Sequence, residues 1–363
     1  MRIELVKRPE VSRTMMVVSP LIAVGLTVVL AAIVFAAQGH NPLAGIYAFF
    51  LEPITSLWGV EQLIIKATPL IIIALGLSVC YLSNNWNIGA EGQLTIGAIV
   101  GSAIPVLFPG FVNPVVLPAM LLMAMAGGAA WAAIPAVLKT RFGTNEILTS
   151  LMLVYVANLF LDWLVRGPWR DPQGFNFPIT VTFNPSAVMN SVDVGGLWLN
   201  LSAPICLALV IVFAVVMRST LKGFEIRVLG QSPRAGAFAG FSARRMTVFA
   251  FMLSGALAGL AGIMVVMSEI QKLQPVISPG YGFTAIIVAF LGRLNPVGIF
   301  VAGLVIALSY LGGEAIQTTM QMSSKMATVL QGILLFLVLA CDTLILYRIR
   351  FVSGRPGQEA ARA

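Results

Sequence analysis

The residues best suited to chemistry lie in one run, Asn84-Asn85-Trp86-Asn87-Ile88-Gly89-Ala90-Glu91-Gly92-Gln93, where amides, a carboxylate and glycines interrupt apolar sequence on both sides. Polar groups are costly in hydrocarbon, so such a cluster belongs inside protein or beside water. The glycines admit backbone conformations that other residues resist. Asn87, Glu91 and Gln93 then have two roles open to them: satisfying peptide groups freed by a broken helix, or contacting a hydrophilic solute. A second interruption, Ser278-Pro279-Gly280-Tyr281-Gly282-Phe283-Thr284, also precedes an apolar run, 285–291. The two share pattern more than residues, and they predict related breaks in the two halves of the chain with a pathway between them.

Other chemistry is poorly supported. There is no GxxxxGK[ST] phosphate loop, HExxH, GxSxG or Cys/His cluster, and the single histidine, His40, lies just past the first apolar run. Cys80, Cys206 and Cys341 each stand alone in apolar sequence, which predicts packing and neither disulfide nor metal. An intramembrane enzyme is disfavoured.

The elements that must position the two breaks follow from composition. Hydrophobic residues make up 58% of the 363 and charged residues 10%, against about 25% charged in soluble domains, so a water-soluble fold is excluded. Long unbroken runs such as 70–79 and 329–340 lack the alternation of a β-barrel. The sequence therefore predicts an all-α, polytopic transmembrane bundle of about ten spans, at 15–37, 62–82, 88–108, 115–138, 146–165, 199–217, 246–267, 283–292, 297–312 and 327–347. Two of these strain the scheme, because 83–87 is too short to establish a loop and 283–292 is too short to cross alone. Broken or re-entrant helices are expected at both.

Charge gives the bundle a direction. Arg2, Lys7, Arg8 and Arg13 precede a first apolar run too long for a signal peptide, as expected of a retained signal-anchor helix. With that end cytoplasmic, 17 of the 22 Lys and Arg fall inside and five, Lys66, Arg166, Arg170, Lys272 and Lys325, fall outside or near the outer ends. The expected organisation is a cytoplasmic tail, 1–14, a transmembrane domain, 15–347, and a cytoplasmic tail, 348–363, with an outer loop at 166–198 and an inner loop at 218–245. The formal net charge of +8 is thus explained by topology, without nucleic acid.

The inner loop carries helix punctuation: Ser232 as N-cap, Pro233 at the first helical position and Gly240 just past the end. That predicts a two-turn helix over 233–239, flanked by Arg227, Arg244 and Arg245. So short a helix is marginal in water, so it must dock, either on a protein beneath the membrane or on anionic lipid headgroups. The outer loop, rich in Pro, Asn and aromatics, fits either a receiving surface for an outer partner or a plain connector. Small residues through Ser254-Gly255-Ala256-Leu257-Ala258-Gly259-Leu260-Ala261-Gly262 predict close helix packing. Glu146, after Gly143-Thr144-Asn145, suits a helix N-terminus.

Taken together, these residues resemble the permease subunits of ABC importers in the branched-chain amino acid, simple sugar and nucleoside group, over roughly 60–345. Asn87-Ile88-Gly89-Ala90-Glu91-Gly92-Gln93 is similar to a signature of the nucleoside-type branch. Gly143-Thr144-Asn145-Glu146, the loop from Gly230 to Phe241, and Gly280-Tyr281-Gly282-Phe283-Thr284 with Gly292-Arg293-Leu294-Asn295-Pro296 resemble its other landmarks. Two departures stand out: Trp86 where that branch usually has Phe, and Gln231-Ser232-Pro233-Arg234 where an Asn-Pro pair is common.

The resemblance implies a bacterial inner-membrane transport subunit that is not itself an enzyme, with ATP and Mg bound by a separate cytoplasmic ABC ATPase and no cofactor on this chain. It implies a second permease subunit, shorter and different, so that a heterodimer is favoured, and an outer solute-binding protein. Substrate-pathway residues would be Asn87, Glu91, Gln93, Tyr281 and Thr284. ATPase-coupling residues would be Arg227, Gly230, Ser232, Pro233, Arg234 and Gly240. Nucleosides are the first expected solute class, then simple sugars, then branched-chain amino acids. An ion-coupled secondary transporter is the competing class, since it too uses broken helices.

Overall fold

Apolar runs of this length have one way to satisfy their backbone in hydrocarbon, and the computed structural model is accordingly helical almost throughout. It describes residues 2–7, 13–323 and 325–352. In chain order the elements are β1 (Arg2–Lys7), α1 (Arg13–Ala37), α2 (Pro42–Ile46), α3 (Leu57–Leu82), α4 (Ala90–Gly101), α5 (Ala103–Leu107), α6 (Val116–Phe142) and α7 (Glu146–Arg166). They continue with β2 (Ser191–Val194), β3 (Leu197–Asn200), α8 (Ser202–Ser219), α9 (Leu221–Gln231), α10 (Pro233–Phe238), α11 (Ala243–Val265), α12 (Tyr281–Leu291), α13 (Pro296–Met320), α14 (Lys325–Leu346) and β4 (Tyr347–Val352). Among the described residues six helices, α3, α6, α7, α8, α11 (with the π-turn that extends it to Ile270) and α13, are long and apolar enough to cross a membrane. The chain is a multi-pass membrane protein.

Eight of the ten expected stretches coincide with one long helix each; α13 runs to Met320, well past the expected end at 312. The two that strained the scheme do not. The stretch 88–108 is split into α4 and α5 at Ser102, and α12 has 11 residues, about 16 Å of helix against a hydrocarbon core of roughly 30 Å.

The chain forms two compact units, one of Met1–Pro53 with Ser309–Ala363 and one of Ile54–Leu308. In the first, α1 packs on α14, around a core that includes Phe35, Phe49, Ile316 and Leu330. The segments expected to be tails are partly ordered here: β1 and β4 pair antiparallel, from Arg2 opposite Val352 to Lys7 opposite Tyr347. Residues 1, 8–12 and 353–363 of those tails lie outside the described residues.

The second unit centres on α4, α6 and α11. Small residues let these backbones touch: a Cβ on Gly97 would lie 2.1 Å from the Gly259 Cα, and one on Gly128 would lie 2.1 Å from the Gly255 carbonyl oxygen. This is the packing that the run from Ser254 to Gly262 predicts. Between α7 and α8 the connecting loop folds back on the helix ends. Thr180 and Phe183 donate backbone N–H groups to the Leu273 and Gln271 carbonyls at 3.0 and 2.9 Å. The hairpin β2–β3, absent from the sequence reading, turns at Gly195-Gly196, both at positive φ. It is pinned to α3 by the Trp198 N–H, which donates to Glu61 Oε1 at 2.7 Å.

Candidate functional site

The helix break between α3 and α4 is assembled from its own side chains. Ser83 ends α3 and Asn84 takes a positive φ of 56°, a conformation Asn tolerates better than most residues. The Asn87 and Gln93 amides then pair reciprocally: Asn87 Nδ2 donates to Gln93 Oε1 and Gln93 Nε2 donates to Asn87 Oδ1, each at 3.0 Å. Asn87 Nδ2 also donates to Ser254 Oγ of α11 at 3.1 Å, and Asn87 Oδ1 accepts from the Gly89 N–H at 3.0 Å. The Tyr81 hydroxyl donates to the Asn87 carbonyl, and the Ile88 N–H to Ser150 Oγ of α7. Asn87 is 0% and Gln93 1% exposed, so a fully satisfied polar network replaces the missing turn of helix, as burial requires.

Glu91, in the first turn of α4, reaches the second break. Its Oε2 accepts the Gly282 N–H at 2.6 Å. A Cβ on Gly282 would stand 2.2 Å from the Glu91 nitrogen, so only glycine allows the two helix starts to approach this closely. Gly280, at φ 99°, turns the chain into α12, and Ser278 Oγ accepts from the N–H groups of Gly280 and Tyr281 at 3.0 and 2.7 Å. One carboxylate thus serves the N-termini of two short helices, where the helix dipoles favour negative charge. Tyr281 and Thr284, at the start of α12, are buried.

A charged cluster closes the α6–α7 end of this assembly. Lys139 Nζ lies 2.6 Å from Glu146 Oε1 and donates to Asn85 Oδ1 at 3.0 Å, and Thr247 of α11 donates to the same Asn85 oxygen at 2.9 Å. Asn145 caps α7 by accepting from Ile147 N–H, which leaves Glu146 free to bridge as well as to favour the helix start. Beside the break, Tyr81 and Phe290 stack at 5.0 Å between ring centroids, with Trp86 at 5.4 Å from Tyr81. A cavity of about 480 Å³ elsewhere in this unit is walled almost wholly by apolar side chains such as Ile64, Ile71, Leu207 and Phe300. It offers little to a hydrophilic solute.

The residues of the α9–α10 segment form a separate group. α10 begins at Pro233, with Ser232 Oγ accepting the Ala235 N–H at 3.4 Å, and ends before Gly240 at φ 82°. Ser232, Pro233, Arg234 and Gly240 are exposed, as is Arg227 on α9. Phe238, which the sequence reading did not single out, is 96% exposed. Helix α9 was also not foreseen; Thr220 caps it. Gly230 near its end presses on α3, where a Cβ would lie 1.8 Å from the Leu82 carbonyl oxygen. The two groups of predicted residues are therefore distinct, and the contact of Gly230 on Leu82, one residue before the break, joins them.

The fold is thus a multi-pass helical bundle with paired short helices held by buried polar side chains, and a separate exposed helix on a polar loop. Residues 59–339 match the family described as branched-chain amino acid transport system / permease component, and the chain belongs to it. It is 32% identical to a glucose ABC transporter permease protein of Haloferax volcanii, over 94% of this chain and 92% of that one. It is 28% identical to a nucleoside ABC transporter permease protein of Lactococcus lactis, covering 83% and 85% of the two chains, and 28% identical to a guanosine ABC transporter permease protein of Bacillus subtilis, covering 94% and 97%. The chain is a permease subunit of an ABC importer.

Proposed function

We propose that this subunit forms half of a solute pathway in a bacterial inner membrane, and that α10 transmits the work of a separate cytoplasmic ABC ATPase to the junction of α4 and α12. The observation that carries this reading is the exposed, capped α10 joined through α9 to the break by the contact of Gly230 on Leu82. Movement of α10 would be passed by rigid backbone contact to the segment holding Asn87 and Glu91. ATP and Mg belong to the ATPase, and this chain holds no cofactor.

In this reading the chain crosses the membrane ten times, with α4–α5 as a kinked crossing. The extended segment 271–280 and α12 together make another. Both ends are cytoplasmic, in keeping with the pairing of β1 and β4 and with the inward bias of Lys and Arg. The pathway runs past the α4–α12 junction, with Asn87, Glu91, Gln93, Tyr281 and Thr284 forming the wall that opens and closes. A second, shorter permease subunit supplies the other wall as a heterodimer, lipid surrounds the pair, and an outer solute-binding protein delivers the solute. Nucleosides are the favoured cargo, on the signature around Glu91 and two relatives named for them. A sugar is the second reading, supported by the 32% identity to the glucose permease.

The test is reconstitution with the neighbouring ATPase, permease and binding protein in proteoliposomes. ATP-dependent uptake of guanosine or glucose that survives an uncoupler is expected. Uptake driven by an ion gradient without ATP would overturn the reading. The double substitution Pro233→Gly with Arg234→Glu should abolish solute-stimulated ATP hydrolysis; unchanged stimulation and assembly would remove α10 from the coupling route.

A further inference from the structure

Helix α7 has three faces. At about 100° per residue, Ser150, Val154, Ala157, Leu161, Leu164 and Val165, all buried, occupy one arc. The exposed Met152, Val156, Leu159, Phe160 and Trp163 occupy a second, opposite in character to any aqueous surface. Between the other edge of the buried arc and this apolar face lies a stripe at spacings of three and four: Tyr155, Asn158, Asp162 and Arg166. Tyr155 is 60% exposed, and Asn158 is also exposed.

The stripe starts deep. Tyr155 and Asn158 lie 9 and 12 residues beyond Glu146, about 14 and 18 Å along a helix of roughly 31 Å, so they flank its midpoint. Towards the Arg166 end, Asp162 pairs with Arg166 at 2.8 Å. Towards Glu146, the same edge continues as Leu148 and Leu151. Among the described residues nothing pairs with the Tyr155 hydroxyl, and the Asn158 amide meets the Thr95 hydroxyl alone. Unpaired hydrogen-bonding groups at this depth are costly against lipid, whereas the apolar face next to them is suited to it.

The stripe is also continuous with the site described above. The Thr95 hydroxyl of α4 donates to the Glu91 carbonyl at 3.0 Å and lies 3.1 Å from the side-chain amide oxygen of Asn158. α4 and α7 fit closely here, since a Cβ on Gly92 would stand 2.8 Å from the Val154 Cα.

We infer that the Tyr155–Asn158–Asp162 edge of α7 lines the aqueous half of the pathway on the Arg166 side of the midplane, and that Tyr155 and Asn158 hydrogen-bond the hydroxyl groups of a polyhydroxylated solute as it passes the α4–α7 seam. This rests on the importer reading and adds the residues that touch cargo. The phenol offers a donor and an acceptor and the amide nitrogen two donors, a set that matches a ribose or hexose. It does not match an apolar side chain.

The experiment is thiol accessibility in the assembled importer in proteoliposomes. Tyr155→Cys, Asn158→Cys, Val156→Cys and Phe160→Cys are each placed in a background with Cys80, Cys206 and Cys341 changed to Ala. They are also placed in the native background, with labelling located by peptide mass spectrometry. A charged, membrane-impermeant methanethiosulfonate should modify positions 155 and 158 about tenfold faster than 156 and 160, and saturating guanosine or glucose should slow the modification. Equal rates at all four positions would overturn the proposal. So would crosslinking of position 158 to the second permease, which would make the stripe a subunit seam. Parent uptake is measured separately: its absence counts against the importer reading, while uptake without selective labelling overturns only the stripe.

Discussion

The α4–α12 junction and the α9–α10 segment are both interruptions of helix, yet they are built on opposite principles. At the junction Asn87, Gln93 and Glu91 are buried and bonded within the protein, from the Asn87–Gln93 amide pair to the Glu91 carboxylate on Gly282. In α10 almost every side chain faces outward, and the helix is held chiefly by its caps and by Gly236 beneath Leu229. A break in a low-dielectric interior must satisfy itself, because an orphaned amide there has no water to turn to. A break at the aqueous face has no such need, and its exposed surface can be reserved for another molecule. The difference separates an element that keeps its geometry from one that, in the function proposed above, serves a partner, and substitutions should show it as loss of fold at one site and loss of coupling at the other.

The largest effect on stability is expected from Asn87→Ala. It leaves the Gln93 amide and the Gly89 N–H without partners in a buried site, at about 1–3 kcal/mol for each unsatisfied group. Little folded protein should survive extraction in detergent, measured by thermal unfolding followed by size-exclusion chromatography. Asn87→Leu combined with Gln93→Leu should recover part of the loss, since removing both partners leaves less unsatisfied than removing one. A single substitution that costs nothing would mean that the amide pair does not hold the break.

Next comes the carboxylate. Glu91→Ala strands the buried Gly282 N–H, for about 1–3 kcal/mol, and should lower both stability and uptake. Glu91→Gln keeps a carbonyl oxygen for that N–H and should retain most of the stability. Uptake by Glu91→Gln then separates the two roles: normal transport makes Glu91 a brace for α12, whereas folded but inactive protein means that the charge itself is needed.

The third prediction concerns the link between the regions. Gly230→Ala places a methyl group 1.8 Å from the Leu82 carbonyl oxygen, which is backbone and cannot swing aside. The α9–α3 contact must then shift, with an overpacking cost of about 1–3 kcal/mol and a marked fall in solute-stimulated ATP hydrolysis. Gly236→Ala meets the Leu229 side chain at 2.5 Å, a flexible group, and should be milder on both measures. Equal behaviour of the two would argue against Gly230 as the joint.

Much of this was legible in the sequence, and what was not has a physical cause. The long helices follow from hydrophobic length, and the short ones were marked by the polar runs at 84–93 and 278–284. The reciprocal pairing of Asn87 with Gln93 was not readable, because six residues of spacing across a break imply no contact until the backbone path is known. The approach of Gly282 to Glu91 joins residues 191 apart in sequence. Helix α9 was missed because its charged, weakly patterned residues read as loop. The β2–β3 hairpin did carry a signal, Gly195-Gly196 between alternating runs, hidden by its place in a loop of prolines and aromatics. The polar edge of α7 was also present as Tyr155, Asn158 and Asp162, but its meaning depends on which arc of the helix the neighbours bury.

The smallest change in stability, and the cleanest contrast with the junction, is expected at Phe238. Its ring is 96% exposed, so Phe238→Ala should alter the unfolding midpoint by no more than about 0.5 kcal/mol equivalent. A large apolar side chain exposed at the end of a capped helix is suited to anchor in a pocket on another protein, and aromatic anchors of this kind carry much of the energy where proteins meet. The substitution should therefore weaken binding of the ATPase, read by co-purification, and reduce coupled hydrolysis while leaving the permease folded. Wild-type affinity for the ATPase with Ala at 238 would place the contact instead on Arg234 and the caps, and α10 would then act through its backbone position alone.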